Sequence, residues 1–187
     1  MKNILILIDM QKGFTLSENT ACLKQKIEEL LKNRIFDIVI ATRFLNEDNS
    51  VFEQLLSWKK FKSEPERELI ENIEPYIDYI EDKYIYSCVN TNFIQKICQM
   101  NDGRYPEQIF LAGVDTDSCV MATAIDLFEN NIRPIVLTDY CASNGGEEVH
   151  RAAITCMRRL IGIRQLQEGI INERSDLDNK MSNNPTG

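Results

Sequence analysis

Short apolar runs and longer stretches of helical periodicity alternate along the chain. The runs are NILILID (3–9), DIVIATRF (37–44), QIFLAGV (108–114) and RPIVLTD (133–139), with a weaker one in DYIEDK (78–83). A strand that is apolar at successive positions, not only at every second one, has both faces covered, as in a parallel sheet flanked by helices. Apolar spacing between the runs predicts helices near 20–33, 51–60, 64–72, 90–100, 117–130 and 146–161. The alternation is that of βαβ units. It predicts an α/β fold: a three-layer, doubly wound, mainly parallel sheet of five or six strands, the last a short strand near GIRQL (162–166). One domain is expected over 1–167. The remainder, 168–187, closes in the polar and aperiodic NERSDLDNKMSNNPTG and is expected to be a mobile tail.

Composition narrows the partners. Twenty-nine acidic against 21 basic residues give a formal net charge of −8, and no basic cluster interrupts the pattern. The electrostatic footprint of a nucleic-acid or anionic-membrane binder is missing, so neither partner is expected; a small-molecule substrate is, and the charge leaves room for a neutral or cationic one. No apolar run approaches the roughly 20 residues of a membrane span. Asp9 breaks the opening run, and no small-residue cleavage site follows it, so that run reads as a buried strand and not a signal peptide; a cytoplasmic protein is expected. The six cysteines form no CxxC pair or metal-finger spacing and are expected to be reduced.

In open parallel sheets ligands bind beyond the carboxyl ends of the strands. The strand ends bring Asp9, Arg43 and Phe44, Lys83, the segment Asp115–Cys119, and Asp139 to that edge. Cys119 falls in the first turn of the 117–130 helix, where free N–H groups and the macrodipole favour a thiolate and could hold an oxyanion. A cysteine packed under a helix start is the plainer alternative. Asp9 is either a turn-forming aspartate or a base for that thiol. Lys83 is either a surface lysine or a charge partner for both. The lone histidine, His150, stands on an apolar-periodic stretch and reads as a helix or core residue, with a Cys–His dyad as its rival role. NGGEE (144–148) lacks the spacing and position of a phosphate loop.

LIDMQKGF, DKYIYSCVNTNF and LAGVDTDSCVMATAIDLFENNIRPIVLTDYCAS, taken together and in this order, resemble the three motif regions of the isochorismatase-like cysteine hydrolases. The resemblance implies that Asp9, Lys83 and Cys119 form that family's catalytic triad, with Cys119 as nucleophile. It implies an oxyanion hole from the backbone N–H groups of Asp115 and Cys119, and a non-proline cis peptide between Val114 and Asp115. Homodimers or homotetramers are common in the family. Its nicotinamidases carry an aspartate and several histidines on a metal after the second strand, whereas ATRFLNEDNSVFEQLLSW (41–58) contains no histidine. No metal and no cofactor are therefore expected. Phe14, Phe44, Asn46 and Tyr84, with Trp58 beside them, are expected to line the substrate cleft. The implied reaction is hydrolysis of a small-molecule amide-type C–N bond through a thioester-like acyl-enzyme. Hydrolysis of a vinyl ether, as by isochorismatases, and a non-catalytic binding protein on the same scaffold are the alternatives.

Overall fold

The computed structural model describes residues 2–179. The apolar runs form β1 (Ile4–Ile8), β2 (Ile38–Phe44), β3 (Tyr79–Lys83), β4 (Gln108–Val114), β5 (Arg133–Ala142) and β6 (Leu166–Gln167). They make one six-stranded sheet in the order β3-β2-β1-β4-β5-β6, and every neighbouring pair is parallel. The winding reverses between β1 and β4, and the crevice at such a switch point opens at the carboxyl ends of those two strands.

The continuous apolarity of β1 follows from its central place. Leu5 and Leu7 enter one core cluster, and Ile4, Ile6 and Ile8 enter the other, on the opposite face. The helices are α1 (Glu18–Ala21), α2 (Leu23–Lys32), α3 (Val51–Leu56), α4 (Thr91–Met100), α5 (Met121–Glu129), α6 (Glu147–Leu160) and α7 (Ser175–Asn179). On α2 the buried residues Leu23, Ile27, Leu30 and Leu31 share one stripe against the first cluster. Phe93 and Ile97 of α4, Ala124 and Leu127 of α5 and Met157 of α6 cover the other face. No helix among the described residues is long and apolar enough to cross a membrane.

Several expected boundaries move. The helix expected at 64–72 is absent, because this backbone bonds to the loop after β1 and not to itself. Lys12 N donates to Glu68 O at 2.8 Å, Gly13 N to Glu66 O at 3.1 Å and Ile70 N to Met10 O at 2.9 Å, around a cis Glu64–Pro65 peptide. α3 stops at Leu56, where Ser57 turns left-handed at φ 55° and its neighbour Trp58 N closes the cap on Phe52 O. Part of the expected tail is built into the fold: Ile171 and Leu177 are buried in the first cluster, and Ile171 N donates to the Tyr140 hydroxyl at 3.0 Å. Asp176 Oδ2 accepts from the N–H groups of Asn172 and Glu173 and so shapes the turn into α7. Two apolar residues in a polar segment give no periodicity to read. Residues 180–187 of that tail lie outside the described residues.

Gly113 fixes how closely β1 and β4 approach at the switch point. Its φ is +125°, and a Cβ built there would stand 2.1 Å from Ile8 O. Gly113→Ala therefore has to push two central strands apart as well as strain the backbone. A loss of about 3 kcal/mol or more is expected, measured by urea unfolding. A loss below about 1 kcal/mol would show that the strands can separate freely.

Candidate active site

Asp9 leaves β1 in a left-handed backbone conformation, φ 48°, which a short polar side chain tolerates. Thr42 of β2 fixes it twice. The hydroxyl accepts from Asp9 N at 3.0 Å and donates to Asp9 Oδ1 at 2.6 Å. The other carboxylate oxygen, Oδ2, lies 2.7 Å from Lys83 Nζ. The ammonium's three protons are aimed elsewhere: at Ile85 O (3.0 Å), Tyr86 O (2.9 Å) and Cys119 Sγ (3.3 Å). Asp9 Oδ2 is consequently paired by charge but carries no aligned hydrogen bond, which leaves a lone pair for an incoming proton.

Lys83 does not end a strand next to Asp9, because β2 lies between β3 and β1. Strand spacing of about 4.8 Å makes that a separation only a long side chain can bridge. The lysine crosses over Phe44, its Nζ 5.2 Å from the ring centroid. The three groups are nearly dry: Asp9 is 0% exposed, Lys83 4% and Cys119 6%.

Cys119 sits in a π turn, Thr116–Val120, which precedes α5. Ser118 N and Val120 N both donate to Asp115 O at 3.1 Å, and the Val114–Asp115 peptide is cis. The expectation of a resting thiolate at the helix start is corrected. Burial, followed by the neighbouring Asp9 carboxylate, pushes the thiol well above its ordinary pKa, against the opposing pull of the Lys83 ammonium. The dipole of a helix start is worth too little to offset that loss of hydration. Burial alone would lower the pKa of Lys83, but Asp9 and Cys119 raise it above its ordinary value, so it stays protonated.

A cleft of about 470 Å³ opens over Cys119. Phe14, Phe44 and Trp58 line it, joined by Phe52, Phe61 and Tyr86. Phe14 stacks on Phe61 at 3.9 Å between centroids, and Phe52 meets both Phe44 and Tyr86 edge-on at 5.0 Å. Across from these rings stand Asp115, Asp117, Ser118 and Asn144. Tyr84 is not part of the lining; Tyr86, similarly exposed, stands in the place expected for it. Asn46 lies behind the wall and not on it. Its amide nitrogen donates to Trp58 O at 3.1 Å and Lys60 O at 2.9 Å, and its amide oxygen accepts from Ser50 Oγ. His150 pairs through Nδ1 with Thr116 Oγ1 at 2.8 Å, so its partner is the turn before the thiol and not the thiol itself.

Asn46 thus holds the loop that carries Trp58, the chain's sole tryptophan. Asn46→Ala strands two carbonyls and a hydroxyl. A loss of about 2 kcal/mol in unfolding free energy and a red shift of Trp58 emission are expected. Unchanged emission would mean that the wall stands without it.

Among the described residues no group of three or more His, Cys, Asp or Glu side chains is arranged to hold a metal ion. The segment after β2, LNEDNS (45–50), holds Glu47, Asp48 paired with Lys62, and Asn46 with its amide committed to Trp58 O and Lys60 O, but no histidine, and so does not fit the metal site of the family's nicotinamidases.

A family model described as "Isochorismatase domain" matches residues 3–167. Among solved structures, an isochorismatase-like hydrolase from Alkaliphilus metalliredigens is 19% identical with a TM-score of 0.74, over 91% of this chain and 96% of that one. The nicotinamidase of Bacillus subtilis is 21% identical with a TM-score of 0.73, over 90% and 99%. An N-carbamoylsarcosine amidase from Thermoplasma acidophilum is 22% identical with a TM-score of 0.68, over 94% and 98%. At these identities the likeness is one of fold. No curated protein sequence matches the chain.

Proposed function

The chain belongs to the isochorismatase domain family, and we propose that it is a metal-independent cysteine hydrolase that cuts an amide-type C–N bond of a small molecule. The observation that carries this reading is the buried contact of Lys83 Nζ with both Asp9 Oδ2, at 2.7 Å, and Cys119 Sγ, at 3.3 Å, beneath an aromatic cleft. The amidases among the solved structures of like fold are consistent with it.

A thiol held protonated at rest needs a base only as it attacks. As Sγ bonds to the carbonyl carbon, its proton passes to Asp9 Oδ2, and the carbonyl electron pair moves onto oxygen, where the N–H groups of Asp115 and Cys119 receive it. The intermediate collapses, the C–N bond breaks, and the leaving nitrogen takes the proton from Asp9. Water then adds to the thioester while Asp9 takes one of its protons, the C–S bond breaks, and that proton returns to sulfur. Lys83 keeps a positive charge beside both anionic partners throughout.

The test is ammonia or amine release from a panel of small amides, carbamoyl acids and ureides. Hydroxylamine is added to intercept the acyl-enzyme, with mass spectrometry of the Cys119 peptide. A hydroxamate product and an acyl mass on Cys119 are expected. Release without either would remove the thioester, and no release from any member would favour a binding protein on this scaffold.

A further inference from the structure

One group in the cleft has no part in the chemistry above. The carboxylate of Asp115, whose backbone precedes the nucleophile's turn, lines the cleft beside Cys119 and Ser118. Its Oδ1 accepts from Asn144 N at 2.9 Å and from Asn144 Nδ2 at 2.8 Å. Asn144 is itself tied down, its Oδ1 accepting from Ser17 Oγ at 2.7 Å and its Nδ2 also donating to Phe14 O at 3.1 Å. The clamp uses one carboxylate oxygen and presets the side chain. Among the described residues, Asp115 Oδ2 has neither a hydrogen bond nor an ion pair.

We propose that the Asp115 carboxylate selects the substrate: the favoured amide carries a cationic nitrogen, an ammonium or amidinium, that pairs with Asp115 Oδ2 while its carbonyl lies on Cys119. The inference rests on the amide-hydrolase reading for the identity of the reacting bond. The local charge favours it. Asp9 and Lys83 offset one another at 2.7 Å. Asp117, whose Oδ1 accepts from Ser143 Oγ, adds a second acid to the same wall, with the exposed Lys60 as the cleft's other cation. Burial, with Asp117 and Asp9 nearby, raises Asp115 to about 6, so at neutral pH it is ionised but poorly solvated. A bound cation relieves that cost. A substrate carboxylate in the same place would add to it.

Thiol probes of matched size and different charge test this without any need for turnover. The rate of mixed-disulfide formation at Cys119 is measured with 2-aminoethyl, 2-hydroxyethyl and 2-sulfonatoethyl methanethiosulfonate. In each case the thiolate forms an S–S bond and displaces methanesulfinate. Cys22 and Cys156 are exposed and react as well, so labelling is read on the Cys119 peptide by mass spectrometry. The cationic-to-anionic rate ratio, referred to that of 2-mercaptoethanol, should exceed unity by about tenfold or more in the wild type. It should fall by about the same factor in Asp115→Asn, whose amide oxygen can still accept both bonds from Asn144, and in Asp115→Ser. The neutral reagent's rate, measured in each protein, is the reference to which both charged rates are normalised, so that a change in thiol reactivity common to all three reagents cancels. A ratio near unity in the wild type, a ratio unchanged in the folded variants, or no labelling of Cys119 by the cationic reagent would overturn the proposal. If one variant fails to fold, the ratio in the other decides. A failure to release ammonia from amides would count against the hydrolase reading alone.

Discussion

Cys119→Ala lowers amide hydrolysis by about 10³-fold or more and leaves the fold nearly untouched; this is the largest effect expected of any single substitution here. Without sulfur no thioester forms, so the acyl mass on this segment and the hydroxamate trapped by hydroxylamine both vanish. The stability cost is small because the removed atom is partly offset by relief of a conflict. Sγ is buried against a carboxylate that raises its pKa, and only one hydrogen bond, from Lys83 at 3.3 Å, is lost. A change within about 1 kcal/mol in unfolding free energy is expected. Cys119→Ser would keep a donor at the site, but its hydroxyl is a far weaker nucleophile, and it should be almost as inactive. Retained turnover in the alanine variant would mean that the carbonyl is attacked by water, with Asp9 as its base.

Asp9, Lys83 and Cys119 could be singled out in the sequence because each ends an apolar run or begins a helical pattern, even though the exact boundaries shift by a few residues. Asp9 breaks a run of five buried apolar residues, and the π turn with Cys119 follows another such run. The pattern brings all three to one edge of the sheet, and the family resemblance adds that they act together. Nothing in the spacing reveals that β2 separates β3 from β1, or that Lys83 must reach across it. The cleft wall was read less well, for a physical reason: beyond Lys83 the chain leaves the sheet, so residues two apart no longer share a face, and Tyr86 meets the cleft where Tyr84 does not. Phe61 arrives on a loop of positive-φ residues, at φ 62°, where no periodicity exists to follow. Asn144 lies in the glycine-containing turn NGGEE, which lacks the spacing of a phosphate loop; its contact with Asp115 is tertiary and is not encoded locally in the sequence.

His150 illustrates a different limit. Its helical period placed it correctly on α6, half-buried, and its pKa is lowered, first of all by burial. Its single defining contact, with Thr116 Oγ1, is tertiary. A histidine beside the Cys119 turn is thus set apart from a Cys–His dyad only by a tertiary contact.

Lys83→Met is the second large effect, and it bears on stability as well as rate. Removing the ammonium leaves the Asp9 carboxylate, 0% exposed, without its charge partner, and strands the carbonyls of Ile85 and Tyr86. Breaking one side of a buried ion pair costs about 3–5 kcal/mol, and urea unfolding at pH 7 should show a loss of that size. The sign of the pH dependence follows from the raised pKa of Lys83 in the fold. Its stabilising share is fully present below the unfolded-state value of 10.5 and is lost only as pH rises through the higher folded-state value. The gap between wild type and variant should therefore be flat from pH 7 to about pH 10 and narrow above it. Turnover should fall by about 10²-fold or more, because the thiolate formed during attack loses the ammonium that lies 3.3 Å from Sγ. The double variant Asp9→Asn, Lys83→Met separates the causes. With both charges gone, the uncompensated carboxylate is gone too, and part of the stability should return while activity stays absent. If the double variant is less stable than Lys83→Met alone, the penalty comes from lost packing over Phe44, and the ion pair is not what holds this end of the sheet together.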